Sequence, residues 1–262
     1  MMNTKYQTII VDRQEHVQVI RLNRPERMNA VIKPLYDDML AALDQAEKDD
    51  DIFAVVITGN GRAFCAGADL KAHKEGRTQA DKEAYLAAEQ LVCAKIYHHS
   101  KPVIALVNGY AIGAGFELAL NCDFLLMAES AQLSLPEVDL GTFVGGGVSW
   151  LLPRMIGLAP ARKLLYGECH NEDDRPANRI SSQLATDLGL ATSVYKDENF
   201  FEQAMVFVQK IANKPTRSVQ KMKRAIRQGL EGSFDDALRH ELNEMIDCSG
   251  SADWQNNISK VQ

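Results

Sequence analysis

The spacing of apolar positions changes along the chain, and each change marks an element. β-Branched and polar residues alternate over 8–11 and 17–22 around a turn in Asp12-Arg13-Gln14-Glu15, which predicts an opening hairpin. Beyond Asn23-Arg24-Pro25 the period lengthens. Leu35, Met39, Leu40, Leu43 and Ala46 form one apolar stripe ending at Lys48-Asp49-Asp50-Asp51, the pattern of an amphipathic helix. Residues 53–59 are then almost continuously apolar and stop at Gly59, as a strand buried on both faces does. A polar helical stretch over 79–97, a second buried strand over 102–107, a helix starting at Gly113 and a third strand over 124–127 come next. Strands alternating with helices predict an α/β fold. After residue 200 no strand pattern remains, and 201–211, 218–230 and 234–246 read as three helices. The predicted organisation is a core over 1–199 followed by a helical region over 200–262.

Composition narrows the class. The chain has 262 residues, 46% hydrophobic and 24% charged, which suits a folded protein with one substantial core. A formal charge of −6, with basic residues interspersed among acids, argues against a nucleic-acid partner. Cys65, Cys93, Cys122, Cys169 and Cys248 show neither disulfide-framework nor zinc-site spacing, so a reducing, cytoplasmic compartment is expected. The first residues contain no long apolar core or cleavage site, and no apolar run approaches about 18 residues, so neither secretion nor a membrane span is expected.

Three catalytic motifs fail on inspection. Gly59-Asn60-Gly61-Arg62-Ala63-Phe64 begins like a dinucleotide fingerprint but has Phe64 at the third glycine position. Gly147-Val148-Ser149-Trp150-Leu151 lacks the closing glycine of a nucleophile elbow, so Ser149 is expected in the first turn of a helix. His98 and His99 are adjacent and project in different directions, which disfavours a shared metal.

What remains is a pair of glutamates near small-residue turns. Glu117 lies in Gly113-Ala114-Gly115-Phe116-Glu117, and Glu137 in Leu135-Pro136-Glu137-Val138. At Ala66-Gly67-Ala68-Asp69 and Gly113-Ala114-Gly115, small residues after buried strands let the backbone approach a ligand and leave N–H groups free at helix starts. Ala68 and Ala114 are the candidate donors. Two converging amides would stabilise an oxygen that gains charge, as enolate formation from a thioester requires.

Four segments in order resemble the crotonase, or enoyl-CoA hydratase/isomerase, superfamily: those beginning Arg24-Pro25-Glu26, Ala63-Phe64-Cys65, Asn108-Gly109-Tyr110 and Pro136-Glu137-Val138. The resemblance covers essentially the whole chain. It implies stacked ββα units in two roughly perpendicular sheets, with C-terminal helices that build a homotrimer or a dimer of trimers. It also implies an acyl-CoA thioester substrate, and no cofactor beyond the coenzyme A that the substrate carries. By position, the family's oxyanion hole falls on Ala68 and Ala114. Backbone around Arg27, Met28, Ala66, Asp69 and Leu70 falls at the adenine and pantetheine portions of CoA, with Lys71 near phosphate; Ala30, Gly113 and Pro136 fall at further substrate-binding positions, and Gly145 beside the water. Family hydratases resemble this chain in having both glutamates, which implies hydration of a 2,3-double bond, Glu117 activating water and Glu137 exchanging the proton at C2. Isomerisation, thioester hydrolysis and a non-catalytic acyl-CoA-binding role are the alternatives on the same scaffold.

Three departures from the family pattern bear on substrate. Phe116, Phe143 and Trp150 are candidates either for a slot taking a branched or cyclic acyl group or for core packing. Residues 167–176 are more acidic than the family pattern and are expected to form an exposed loop. The chain stops at Gln262, about where the resemblance leads one to expect a basic, aromatic tail over CoA.

Overall fold

The opening hairpin joins β1 (Ile9–Gln14) to β2 (Val17–Leu22), paired antiparallel from Ile9↔Leu22 to Gln14↔Val17. This description comes from a computed structural model, which describes residues 6–73, 78–168 and 178–259. The strand runs three residues into the predicted turn, and Glu15, with φ 52°, makes the reversal with His16. Asp12, Arg13 and Gln14 read as a turn because β1 is an edge strand whose outer side faces water.

The rest of the core repeats one unit. β3 (Ala54–Gly59) leads into β4 (Ala63–Cys65), β5 (Val103–Val107) into β6 (Tyr110–Ile112), and β7 (Phe124–Ala128) into β8 (Gln132–Ser134). In each pair the first strand joins a six-stranded sheet of order β1-β2-β3-β5-β7-β10, and the second joins a four-stranded sheet of order β4-β6-β8-β9. β9 is Ile180–Ser181 and β10 is Ser193–Tyr195. β2, β3, β5, β7 and β10 run parallel, as do β4, β6 and β8. Every residue of β3 and β5 is buried, as their unbroken apolar runs predict.

Helices fill the crossovers: α1 (Lys33–Lys48), α2 (Leu70–His73), α3 (Gln79–His98), α4 (Ala114–Leu120), α5 (Val148–Ile156), α6 (Leu158–Leu165) and α7 (Ser182–Asp187). α1 buries Leu35, Tyr36, Met39, Ala42, Leu43 and Ala46, and α3 packs on it, with Tyr85 against Tyr36 and Lys95 paired to Asp44. Thr78 and Asp81 form a capping box that starts α3. Ser149 lies in the first turn of α5.

The C-terminal helices are α8 (Phe200–Ala212), α9 (Thr216–Glu231), α10 (Phe234–Ser249) and a fourth, unpredicted α11 (Ala252–Ile258). α8 packs against the large sheet through Phe200, Ala204, Met205, Val208 and Ala212. α10 buries no residue and α9 only Lys223, although both carry apolar faces. Of the acidic stretch and the chain end considered above, residues 169–177 and 260–262 lie outside the described residues. No described helix is long and apolar enough to cross a membrane.

Candidate active site

The short sheet delivers its loops to one cleft. After β4, residues 66–69 run beside 28–31: Ala66 N–H donates to Met28 O at 3.0 Å, Val31 N–H to Gly67 O at 2.7 Å and Asp69 N–H to Val31 O at 3.0 Å. The last two bonds straddle Ala68, so the amide of Ala68 faces away from this partner. Arg24 and Asp69, both mostly buried, pair at 3.0 Å and tie the two segments together. Beside Arg24, Asn29 donates to the carbonyls of Asn60 and Ala63.

The second amide is set by two glycines. Gly113, at φ 54° and ψ −124°, holds a conformation that L-residues avoid, and turns β6 into α4. A Cβ on Gly115 would lie 2.1 Å from Cys65 O, so α4 packs directly on β4 backbone. Ala114 N–H therefore emerges beside Gly67, where a Cβ would be 3.9 Å from the Ala114 nitrogen. Among the described residues, neither Ala68 N–H nor Ala114 N–H has an acceptor.

Both amides border a cleft of about 550 Å³ that Glu117 and Glu137 also line. Glu117, one turn into α4, is 2% exposed. Its Oε2 accepts from Gly145 N–H at 3.0 Å and from Gly146 N–H, and Asn121 ties the loop to α4 by donating to the carbonyls of Glu117 and Gly146. Glu137 follows β8, and its Oε2 is buried with no hydrogen-bond partner among the described residues. A third carboxyl, Glu89 of α3, lines the same cleft and is buried.

Burial dominates the proton affinity of all three. It pushes Glu117 up to about 7, with the Glu89 charge adding to it and the Gly146 and Gly145 amides opposing. Glu137 is pushed up to about 7 by burial, against its own backbone amide and with help from the Glu117 charge. Glu89 reaches about 7 through burial and the Glu137 charge, while the Tyr36 hydroxyl opposes the shift without reaching hydrogen-bond geometry. Protonated and ionised carboxyls thus coexist near neutral pH, the condition for moving protons in both directions.

The other predicted positions separate into three groups. Ala66, Ala68, Leu70, Gly113, Ala114 and Pro136 border the cleft. Asp69 lines no part of it: its carboxylate is held by Arg24 and accepts Ala72 N–H at the start of α2. Arg27 and Lys71 are exposed, and Met28 and Ala30 are half-buried on the strap beside 66–69. Gly145 gives its N–H to Glu117 and borders a second cavity, of about 320 Å³, with Trp150 and Tyr97. Of the three aromatics, Phe143 lines the cleft, Phe116 is core and Trp150 belongs to the second cavity. Sequence reasoning missed Glu89, whose signal was its place on the inward stripe of α3 with Tyr85, Ala88, Val92, Cys93 and Ile96.

Paired strands stepping between two sheets, with two free amides facing buried carboxyls, define a crotonase-fold enzyme. The chain belongs to the enoyl-CoA hydratase/isomerase family, whose model matches residues 12–258. It is similar to the 2,3-dehydroadipyl-CoA hydratase of Escherichia coli, 34% identical over 96% of this chain and 94% of that protein. The 1,2-epoxyphenylacetyl-CoA isomerase of the same species is 32% identical over 93% of this chain and 90% of its own. Among solved structures, the enoyl-CoA hydratase from Bacillus anthracis superposes with a TM-score of 0.89 at 32% identity, over 97% of this chain and 95% of that one.

Proposed function

We propose that this protein hydrates the 2,3-double bond of an enoyl-CoA thioester and, in reverse, dehydrates the 3-hydroxyacyl-CoA. The observation that carries the reading is that two buried carboxyls, Glu117 and Glu137, share one cleft with the free amides of Ala68 and Ala114. Glu117, ionised, takes a proton from water as the water oxygen bonds to C3. The π electrons shift toward the thioester carbonyl, whose oxygen becomes an enolate oxygen stabilised by the two amides. Glu137, protonated, delivers its proton to C2 as the enolate collapses to the thioester. Glu117 then holds the proton and Glu137 the charge, and exchange with solvent resets the pair. Gly145, which orients Glu117 in the free protein, is the group that would also meet the water.

In this reading the backbone of 28–30 and 66–70 holds the CoA arm, Asp69 braces that backbone through Arg24, and Arg27 and Lys71 offer exposed positive charge to phosphate. Membership of the family supports the acyl-CoA substrate. We further infer a homotrimer or dimer of trimers, because Met222, Ile226, Phe234, Leu242, Met245 and Ile246 leave an apolar face exposed on α9 and α10. Light scattering reading a monomer would refute that assembly.

The deciding experiment follows loss of enoyl-thioester absorbance and identifies the product by mass spectrometry over a panel of 2-enoyl-CoA substrates. Formation of 3-hydroxyacyl-CoA by the wild type, lost in both Glu117→Gln and Glu137→Gln, is the expected result. The family, which spans enoyl-CoA hydratases and isomerases, supports a second reading, double-bond isomerisation with one carboxyl. A product of unchanged mass with a moved double bond would select it and sink hydration.

A further inference from the structure

Glu89 has no role in the reaction above, yet it is built into the same cleft. It lies on the buried face of α3 between Tyr85 and Val92, one turn along the helix from Tyr85, and is 7% exposed. A Cβ on Gly145 would sit 3.4 Å from its carboxyl carbon, so the carboxyl packs over the glycine whose N–H holds Glu117. Tyr36 approaches the same carboxyl from α1, and its hydroxyl is buried with no hydrogen-bond partner among the described residues. The rings of Tyr36 and Tyr85 stand 5.5 Å apart. The cleft wall around this polar group is otherwise largely apolar, with Leu70, Leu86, Ile112, Leu140 and Phe143. Lys82, the cation that borders the cleft, is exposed, and no cation is among the charges that act on Glu89.

The geometry points to a polar acyl subsite in which the Glu89 carboxyl, backed by Tyr36, receives a hydroxyl carried by the acyl chain of the bound thioester. This rests on the reading that the cleft holds an acyl-CoA. A plain alkyl chain would cover Glu89, strip it of water and give it no partner, which is unfavourable for any buried carboxyl. A chain ending in a carboxylate would bring a fourth acid to three that already repel one another. A chain hydroxyl donates to Glu89 when it is ionised, and accepts from it when it is protonated. The acyl group therefore differs in kind from both a simple fatty chain and a dicarboxylic half-thioester.

The test compares wild type, Glu89→Gln and Glu89→Leu. Calorimetry measures binding of saturated acyl-CoA thioesters of four to eight carbons beside their ω-hydroxy and ω-carboxy counterparts, and hydration is assayed with the matching 2-enoyl thioesters. At one chain length the wild type should bind the hydroxy compound at least about tenfold more tightly than its alkyl parent. The ω-carboxy compound should bind most weakly. Glu89→Leu should reverse the hydroxy-to-alkyl order, and Glu89→Gln should keep it while relieving the penalty on the carboxylate. Alkyl chains bound as well as hydroxy chains at every length, or an unchanged order in Glu89→Leu, would overturn the subsite. Because binding is read without turnover, hydroxyl-selective binding with no hydration would refute the reaction alone. Hydration of alkyl substrates without hydroxyl selectivity would refute the subsite alone.

Discussion

Buried charge is handled in opposite ways in the cleft and where α1, α3, β5 and α9 meet. At that junction every buried charge has a partner. Lys223 reaches Asp123 at 2.6 Å and Lys101 O at 3.1 Å, and Asp123 also accepts Val103 N–H at 2.7 Å. Lys101 closes the end of α1 by donating to the carbonyls of Ala46 and Asp49. His99, wholly buried, lies 3.2 Å from Glu47, whose carboxylate also accepts Ser100 N–H. In the cleft, Glu89, Glu117 and Glu137 have one another and a few amides, and no cation among the groups that shift them. Paired charges fix how helices sit on the sheet, whereas unpaired carboxyls have their proton affinity moved to where exchange at neutral pH is easy.

The sharpest break in this comparison is expected from the cleft carboxyls. Glu117→Gln and Glu137→Gln should each lower kcat by about 10²–10⁴-fold, with acyl-CoA binding and the folded structure retained. Stopped-flow hydration and calorimetry separate the two effects. A fall in binding with kcat preserved would move that glutamate out of the chemistry.

At the junction the same kind of deletion should act on stability instead. Lys223→Met removes the buried cation from Asp123, whose side chain keeps about a quarter of its exposure, so the loss is that of a charge-assisted hydrogen bond, about 1–3 kcal/mol. At roughly 2–4 °C per kcal/mol for a chain of this size, Tm should fall by several degrees. Adding Asp123→Asn should restore much of it. If Lys223→Met lowers kcat of the folded protein and leaves Tm unchanged, the division between the two regions fails.

That division was only partly legible in the amino-acid sequence. β2, β3, β5 and β7 were, because runs of five or six apolar or alternating residues carry a period. β4, β6 and β8 have three residues each, too few to show one, so the four-stranded sheet that aims both amides was invisible as a sheet. Glu117 and Glu137 stood out through their glycine- and proline-rich settings. Glu89 did not, because a glutamate inside a helix that also carries Asp81 and Glu83 reads as one more solvated acid until the buried stripe is traced through it. The Lys223–Asp123 pair joins residues 100 positions apart, and no local pattern encodes such a contact.

An effect of similar size is expected where the two cleft walls meet. Gly113→Ala forces an L-residue into φ 54° and sets a Cβ 2.8 Å from Glu137 Oε1. The strain is about 1–3 kcal/mol. Tm should fall accordingly, and kcat more than KM, because the displaced groups are Ala114 N–H and the Glu137 carboxyl. A variant with wild-type kcat would show that neither group needs its present position.

The last effect is one of sign. A carboxyl raised from 4.5 to about 7 on folding binds its proton more tightly in the native state. Its stabilising contribution is complete below the unfolded value and is lost as pH rises through about 7. The junction behaves oppositely. His99 is held below its ordinary value by burial, and Glu47 is lowered because the Ser100 N–H and the His99 charge outweigh its burial, so both contribute stability that disappears on acidification. Glu89→Gln isolates the cleft: at pH 4 it should melt with the wild type, and at pH 8 it should melt higher by several degrees, each kcal/mol being worth about 2–4 °C at this chain length. The gain should open between about pH 4.5 and 7, while the acid limb set by His99 and Glu47 stays in place. A Glu89→Gln variant that melts below the wild type at pH 8 would mean that an ionised Glu89 has a cationic partner, and the contrast between the two regions would lose its basis.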